Sequence, residues 1–218
     1  MADKKHPPPT DEQIATALSL FQVRLSDVQT AQVREYVRLL LKWNQSVSLT
    51  SVLDPMEIVA RHFGESMFVS CLIPVENCRL ADLGSGAGFP GLALKIASPT
   101  LQVKLIESNK KKCAFLSEVV RSLALTHVEI LSDRFEDIRT SNDFAELITA
   151  RALGGFTRIL TWSKRALSPR GHLILWLGGE DSSQVSSAPG WLWQPAVRIP
   201  DSQRRFILIG RPRPDTSL

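Results

Sequence analysis

The residues best suited to chemistry lie in one short run, Asp82-Leu83-Gly84-Ser85-Gly86-Ala87-Gly88-Phe89-Pro90-Gly91. Before it, Arg79–Leu83 is brief and apolar, as a strand covered on both faces must be. Gly84, Gly86 and Gly88 let the chain take positive φ and let a ligand approach the backbone. Pro90 suits the opening turn of a helix, where an N–H would have no partner. A glycine turn between the carboxyl end of a strand and the positive end of a helix makes a notch for a nucleotide-like cofactor. Glu107 follows Gly84 by 23 residues, at the end of a second apolar run. A carboxylate there can accept hydrogen bonds from both hydroxyls of a ribose.

Two frames compete for the turn. Gly86-x-Gly88-x-x-Gly91 fits the dinucleotide fingerprint. Asp82-x-Gly84-x-Gly86-x-Gly88 fits the first motif of S-adenosylmethionine (SAM)-dependent methyltransferases, and it is preferred because the turn begins directly at Gly84. An NAD-dependent oxidoreductase is the alternative, although no Tyr–Lys or His–Asp pair stands ready for hydride transfer. A non-catalytic RNA-binding module is a third reading.

Two further stretches flank such a site. In Ser132-Asp133-Arg134-Phe135-Glu136, Phe135 can lie along an adenine ring while an acid or carbonyl accepts from its amino group; Asp133 can equally cap the helical turn that follows. Thr149-Ala150-Arg151-Ala152 stands where methyltransferases place chemistry on the substrate. It holds neither the Asn- or Asp-Pro-Pro-aromatic sequence used on exocyclic amines nor the thiol used at pyrimidine C5. An acceptor that already bears a lone pair, such as guanine N7, needs neither device. Transfer is then a displacement governed by alignment and exclusion of water, with no general base to assign.

The elements that must position these residues alternate. Strands are expected at Arg79–Leu83, Gln102–Ile106, Val128–Leu131, Glu146–Ala150 and Leu173–Leu177. Helices are expected over 90–97, 110–123 and 156–167, with a short turn around Phe135. That order makes an α/β fold with a mostly parallel sheet and helices on both faces. A loop is expected over 178–188, and two terminal strands over 191–199 and 205–209. Ahead of the sheet, helical spacing and caps at Thr10, Ser26 and Asp54-Pro55 predict three helices. The expected division is a disordered tail over 1–9, a helical region over 10–75 and a methyltransferase core over 76–218.

Composition bounds the rest. A chain of 218 residues with 44% hydrophobic and 22% charged residues has the balance of a globular protein. No apolar run approaches a membrane span, and the first residues lack the apolar core of a signal peptide. Three cysteines, Cys71, Cys78 and Cys113, follow no paired spacing, which argues against disulfides or zinc. A cytoplasmic monomer without metal or membrane attachment is expected. The net charge of +4 permits an anionic partner without demanding one.

Beyond single motifs, residues 35–180 resemble the bacterial 16S ribosomal RNA guanine-N7 methyltransferases, also called glucose-inhibited division protein B. The likeness is carried by Trp43-Asn44, Leu49-Thr50-Ser51-Val52 and Glu57-Ile58-Val59-Ala60-Arg61-His62-Phe63. It continues through the glycine run, Glu107–Leu116 and Ala150-Arg151-Ala152. The resemblance implies cofactor contacts at Gly84, Phe89, Phe135, Glu136 and Arg151, beside Asp82, Gly86, Gly88 and Glu107 from the motif. It implies 16S RNA or the small ribosomal subunit as substrate. Candidate RNA contacts are Arg61, His62, Lys110, Lys111, Lys112, Arg134, Arg158, Lys164 and Arg165. Two positions depart from the family pattern: Ser48 stands for an Asn, and Leu177-Gly178 for a Lys-Gly. If that lysine holds RNA, Arg204 or Arg205 must take its place.

Overall fold

The structure is a computed structural model and describes residues 7–214. The tail expected over 1–9 therefore lies, for residues 1–6, outside the described residues. Helix α1 (Asp11–Ser19) is opened by Thr10 and α2 (Asp27–Asn44) by Ser26; each cap forms a reciprocal box with a Gln three residues on. A third helical segment begins at Asp54, whose side chain accepts the Glu57 N–H. It runs through α3 (Pro55–Ile58), a π-helical turn (Val59–Gly64), α4 (Glu65–Met67) and a 3₁₀ turn (Phe68–Cys71). The π turn was not expected from the sequence.

The sheet follows. Strands β1 (Arg79–Leu83), β2 (Gln102–Ile106), β3 (Val128–Leu131), β4 (Ala145–Arg151) and β5 (Leu167–Gly178) are parallel. Between them stand α5 (Gly91–Ala97), α6 (Lys110–Ser122) and α7 (Phe156–Ala166). After β5 come α8 (Gly179–Ser186), β6 (Trp191–Trp193), β7 (Val197–Arg198) and β8 (Arg205–Pro212). Strand β8 is antiparallel to β5 and also pairs with β6 and β7, giving the order β3-β2-β1-β4-β5-β8-β6. The loop expected over 178–188 is thus mostly helical. Glu180 and Asp181 in its first turn face the positive end of α8.

Two apolar cores sandwich the sheet. One joins Ile14, Tyr36, Leu40 and Phe63 of the leading helices to Leu92, Leu94, Phe115 and Leu116 of α5 and α6. The other joins Ile159 and Trp162 of α7 to Leu173, Leu175 and Leu208 on the opposite face. The strand order turns back at β1, between β2 and β4. The helices leaving β1 and β4 therefore lie on opposite faces and open a crevice at the carboxyl ends of those strands.

Candidate active site

At that crevice β1 ends at Leu83, and Gly84, Gly86 and Gly88 take φ of +64°, +56° and +84°. The turn thus opens directly at Gly84, in the frame Asp82-x-Gly84-x-Gly86-x-Gly88. Over Gly86 there is room: a Cβ added there would find only the Gly84 carbonyl, at 3.7 Å. At Gly88 there is none, because the same atom would lie 2.1 Å from the Tyr36 hydroxyl. Glycine at 86 leaves space for a ligand, and glycine at 88 lets α2 close on the turn.

Asp82 braces the turn from beneath. It is fully buried, accepts from the Thr149 hydroxyl (2.7 Å) and the Gly91 N–H (3.2 Å), and so ties β1 to β4 and α5. Burial raises its pKa to about 6, against the Thr149, Ser85 and Gly91 hydrogen bonds that lower it. It was expected among the cofactor contacts, but a side chain with no exposed surface supports the turn instead of touching a ligand.

Glu107 stands just beyond β2 with 7% of its surface exposed. One carboxylate oxygen accepts the Gly86 N–H (2.9 Å) and the other the Asn109 N–H (2.8 Å). Each oxygen keeps a second lone pair for a ribose hydroxyl. Cys113, read from the sequence only as an unpaired cysteine, donates to the Glu107 carbonyl at 3.0 Å. The carboxylate is held from both directions and set against the open space over Gly86.

Phe89 stacks with two rings, Tyr36 (centroids 5.2 Å apart, planes 18°) and His62 (4.9 Å, 29°), with Phe63 edge-on at 5.0 Å. Tyr36 also donates to the Ala87 carbonyl at 2.6 Å. The Trp43-Asn44 and Leu49-Thr50 signatures now have a physical reason. The Asn44 side chain accepts the Leu49 and Thr50 N–H groups and donates to the Thr50 carbonyl, and the Thr50 hydroxyl meets His62 Nε2 at 2.8 Å. Burial, then the nearby Arg151 and Arg61, lowers the His62 pKa to about 3. The imidazole is neutral at physiological pH.

Arg151 ends β4 with three N–H groups taken within the protein: by the Ser66 hydroxyl (3.2 Å), the Arg61 carbonyl (2.8 Å) and Glu65 (3.0 Å). Phe135 is buried edge-on against Trp162, and Glu136 pairs with Arg158 at 3.0 Å. After β4, Leu153 leans over Gly84, its Cδ1 3.0 Å from where a Cβ would stand. Tyr36, Glu65 and Leu153 complete the arrangement without having been singled out. Tyr36 reads as one more apolar position on α2, and Leu153 as loop.

The candidate RNA contacts divide by position. Lys110 and Lys111 open α6 behind Asn109, whose side chain accepts the Lys111 and Lys112 N–H groups. Arg134 precedes the 3₁₀ turn after β3, and Arg158 lies in the first turn of α7. All four stand at the carboxyl ends of the strands, with Arg61 and His62 on the π turn. Lys164 and Arg165 close α7 and stand toward the opposite edge of the sheet. Of the two departures, Ser48 is exposed, while Leu177 is buried opposite Phe206 and its neighbour Gly178 pairs with Arg205.

The fold is similar to that of a SAM-dependent methyltransferase from Aquifex aeolicus, with a TM-score of 0.60 over 72% of this chain and 93% of that one at 17% identity. It is likewise similar to a ribosomal protein L11 methylase from Lactobacillus delbrueckii, with a TM-score of 0.57 over 71% of this chain and 80% of that one at 15% identity. By sequence, the chain is 36% identical to the ribosomal RNA small subunit methyltransferase G of Xylella fastidiosa, over 88% of this chain and 91% of that protein. It is 31% identical to the protein of the same name from Marinobacter nauticus, over 91% and 94%. The dinucleotide frame gains no support from these likenesses. The family model described as rRNA small subunit methyltransferase G matches residues 29–189, from α2 through the glycine turn to just past α8, and the chain belongs to that family.

Proposed function

We propose that this protein transfers a methyl group from SAM to N7 of a guanine in the 16S RNA of the small ribosomal subunit. The observation that carries the reading is the cradle formed by three left-handed glycines beside Glu107, whose carboxylate holds the turn by the Gly86 N–H. When bound, SAM supplies a methyl group activated by the sulfonium charge. Gly84, Gly86 and Phe89 line its place, and Glu107 takes the ribose hydroxyls. Phe135 lies along the adenine, and Glu136 accepts from its amino group. Gly88 and Asp82 shape the turn. Arg151 completes the mouth, held in place by Glu65 and the Arg61 carbonyl.

Guanine N7 carries a free lone pair, so no proton need be removed and the chain's task is alignment. With a pKa near 3, His62 is neutral at physiological pH and has no imidazolium proton to give up, and its stack on Phe89 gives it a positioning part. Leu153 and Phe89 present apolar surface that keeps water from the reacting atoms. Lys110 and Lys111 favour an RNA partner for an electrostatic reason. Cations in the first turn oppose the helix dipole, so they do not serve the stability of α6. With Arg61, Arg134 and Arg158 they surround the crevice; Lys164 and Arg165 meet only a strand that follows α7 away from it. The protein works as a monomer in the cytoplasm. No helix among the described residues is long and apolar enough to cross a membrane.

The test is methyl transfer from labelled SAM to small-subunit RNA and particles from a strain lacking the protein, followed by digestion to nucleosides. Label in N7-methylguanine at one position is expected. SAM binding without transfer to any small-subunit RNA would overturn the substrate, and absence of SAM binding would overturn the whole reading.

A further inference from the structure

We propose that Arg205, held by the buried carboxylate of Glu65, and Arg61, on the adjoining π turn, receive a phosphodiester group of the RNA strand beside the crevice. The proposal rests on the RNA reading above and names the residues that would hold the strand on its far side.

Glu65 is the hub. Its side chain is 2% exposed; one oxygen pairs with Arg151 at 3.0 Å and the other with Arg205 at 2.8 Å. The Trp176 indole N–H donates to its carbonyl at 2.8 Å, which fastens the helical segment to β5. Arg61 joins through its own carbonyl, which accepts from Arg151. Two guanidinium groups thus pair with one buried carboxylate, and the Arg61 charge acts on it from nearby. The exposed Glu57, 2.7 Å from Arg61, offsets only part of the excess.

The unmatched charge is left at the surface. Arg205 and Arg61 keep 39% and 41% of their side-chain area exposed; the Nε of each is buried without a partner among the described residues, so a phosphate would meet the terminal nitrogens. Each gives one terminal nitrogen to a carboxylate, which leaves other donors of the planar fork open. That fork matches the oxygens of a phosphate. The strand order sets the Arg205 backbone apart from the cofactor turn. Arg205 pairs with Gly178 at the carboxyl end of β5, on β8, three strand spacings or about 14 Å from β1 and its glycine turn. Glu65 serves as a positioning residue: it fixes the direction of both Arg205 and Arg151 without facing solvent.

The experiment measures binding of small-subunit RNA by the wild type, Arg205→Gln, Arg61→Gln and Arg205→Lys across a salt series, with SAM affinity measured alongside. Loss of one phosphate contact should lower the slope of log K against log salt by about one in each Gln variant. Arg205→Lys should keep most of the slope, because charge and not fork geometry sets it. SAM affinity should stay within about twofold, and the KM for RNA should rise with kcat nearly unchanged. An unchanged slope in both Gln variants overturns the proposal, as does a fall in SAM affinity that parallels the RNA loss. If Arg205→Gln fails to fold, Arg61→Gln carries the same test, since its charged partner is the exposed Glu57. A wild type that binds RNA with a steep salt slope yet transfers no methyl group overturns the reaction and leaves this site standing; one that binds no RNA overturns both.

Discussion

The Tyr36 hydroxyl donates a 2.6 Å hydrogen bond to the Ala87 carbonyl, so a residue of α2 holds the middle of a turn that follows β1. Both partners are buried, and burial also pushes the Tyr36 phenol well above its usual pKa. The leading helices therefore do more than cover one face of the sheet. They set the shape of the cofactor turn, through this bond and through the His62–Phe89–Tyr36 stack.

Removing the hydroxyl alone tests that coupling. Tyr36→Phe keeps the ring against Phe89 but leaves the Ala87 carbonyl without its donor. A loss of about 1–3 kcal/mol in stability is expected, read from urea unfolding at unchanged m-value. SAM affinity should fall as well, because the turn loses a fixed point. Unchanged affinity at reduced stability would show that α2 braces the fold without setting the site.

Glycine substitutions should separate close approach from mere flexibility. A methyl group at Gly88 meets the Tyr36 hydroxyl at 2.1 Å on a backbone of φ +84°. Gly88→Ala should cost about 2–4 kcal/mol, from left-handed strain together with overpacking. Gly154 has nothing within 4 Å, and Gly154→Ala should stay within about 0.5 kcal/mol. Thermal melts of the two variants give the comparison directly.

Two buried groups tilt stability against pH in opposite directions. The His62 pKa falls to about 3 in the folded chain, from 6.5. Below pH 6.5 the unfolded state alone takes up that proton, so stability drops as pH falls toward 3. The Asp82 pKa rises from 3.8 to about 6. Between those values the folded state alone holds that proton, so stability drops as pH rises. Between about pH 4 and 6 the two slopes, each near 1.4 kcal/mol per pH unit, oppose each other. His62→Gln should make stability, relative to the wild type, fall with rising pH across that window; Asp82→Asn should make it rise. Urea unfolding at pH 4, 5 and 6 measures both differences.

How much of this was legible follows from what leaves a local signal. Strands β1, β2 and β3 have the bounds that their short apolar runs imply, and the glycine turn announces itself by composition. Strand β5 was read too short, because Ser168-Pro169-Arg170-Gly171 looks like a turn. It pairs across a bulge from Leu167 before the regular register begins at His172. Helix α8 hid in serines. The π turn at Val59–Gly64 has no sequence period of its own, and what sustains it is tertiary: the Arg61 carbonyl goes to Arg151, and His62 packs on Phe89. Glu65 and Arg205 are 140 residues apart in sequence and meet only because β8 returns beside β5. Pairs of that kind have no signature along a single chain.

Glu107 gives the last test, because its carboxylate has two duties that one substitution can separate. In the structure it accepts from Gly86 and Asn109, one bond on each oxygen. Glu107→Gln keeps one acceptor oxygen and turns an amide NH₂ toward a backbone N–H or a ribose hydroxyl. Losing a hydrogen bond to a charged acceptor costs about 1.5–3 kcal/mol, so SAM affinity should fall roughly 10- to 150-fold. Titration calorimetry with SAM and with adenosine then tells the duties apart. If Glu107 binds the ribose, both ligands weaken by the same factor, because both carry the hydroxyls. If it only holds the turn, SAM should weaken more than adenosine, since on the proposed reading the glycine turn takes the part of the cofactor that adenosine lacks. Equal, undiminished affinity for both would remove Glu107 from the site.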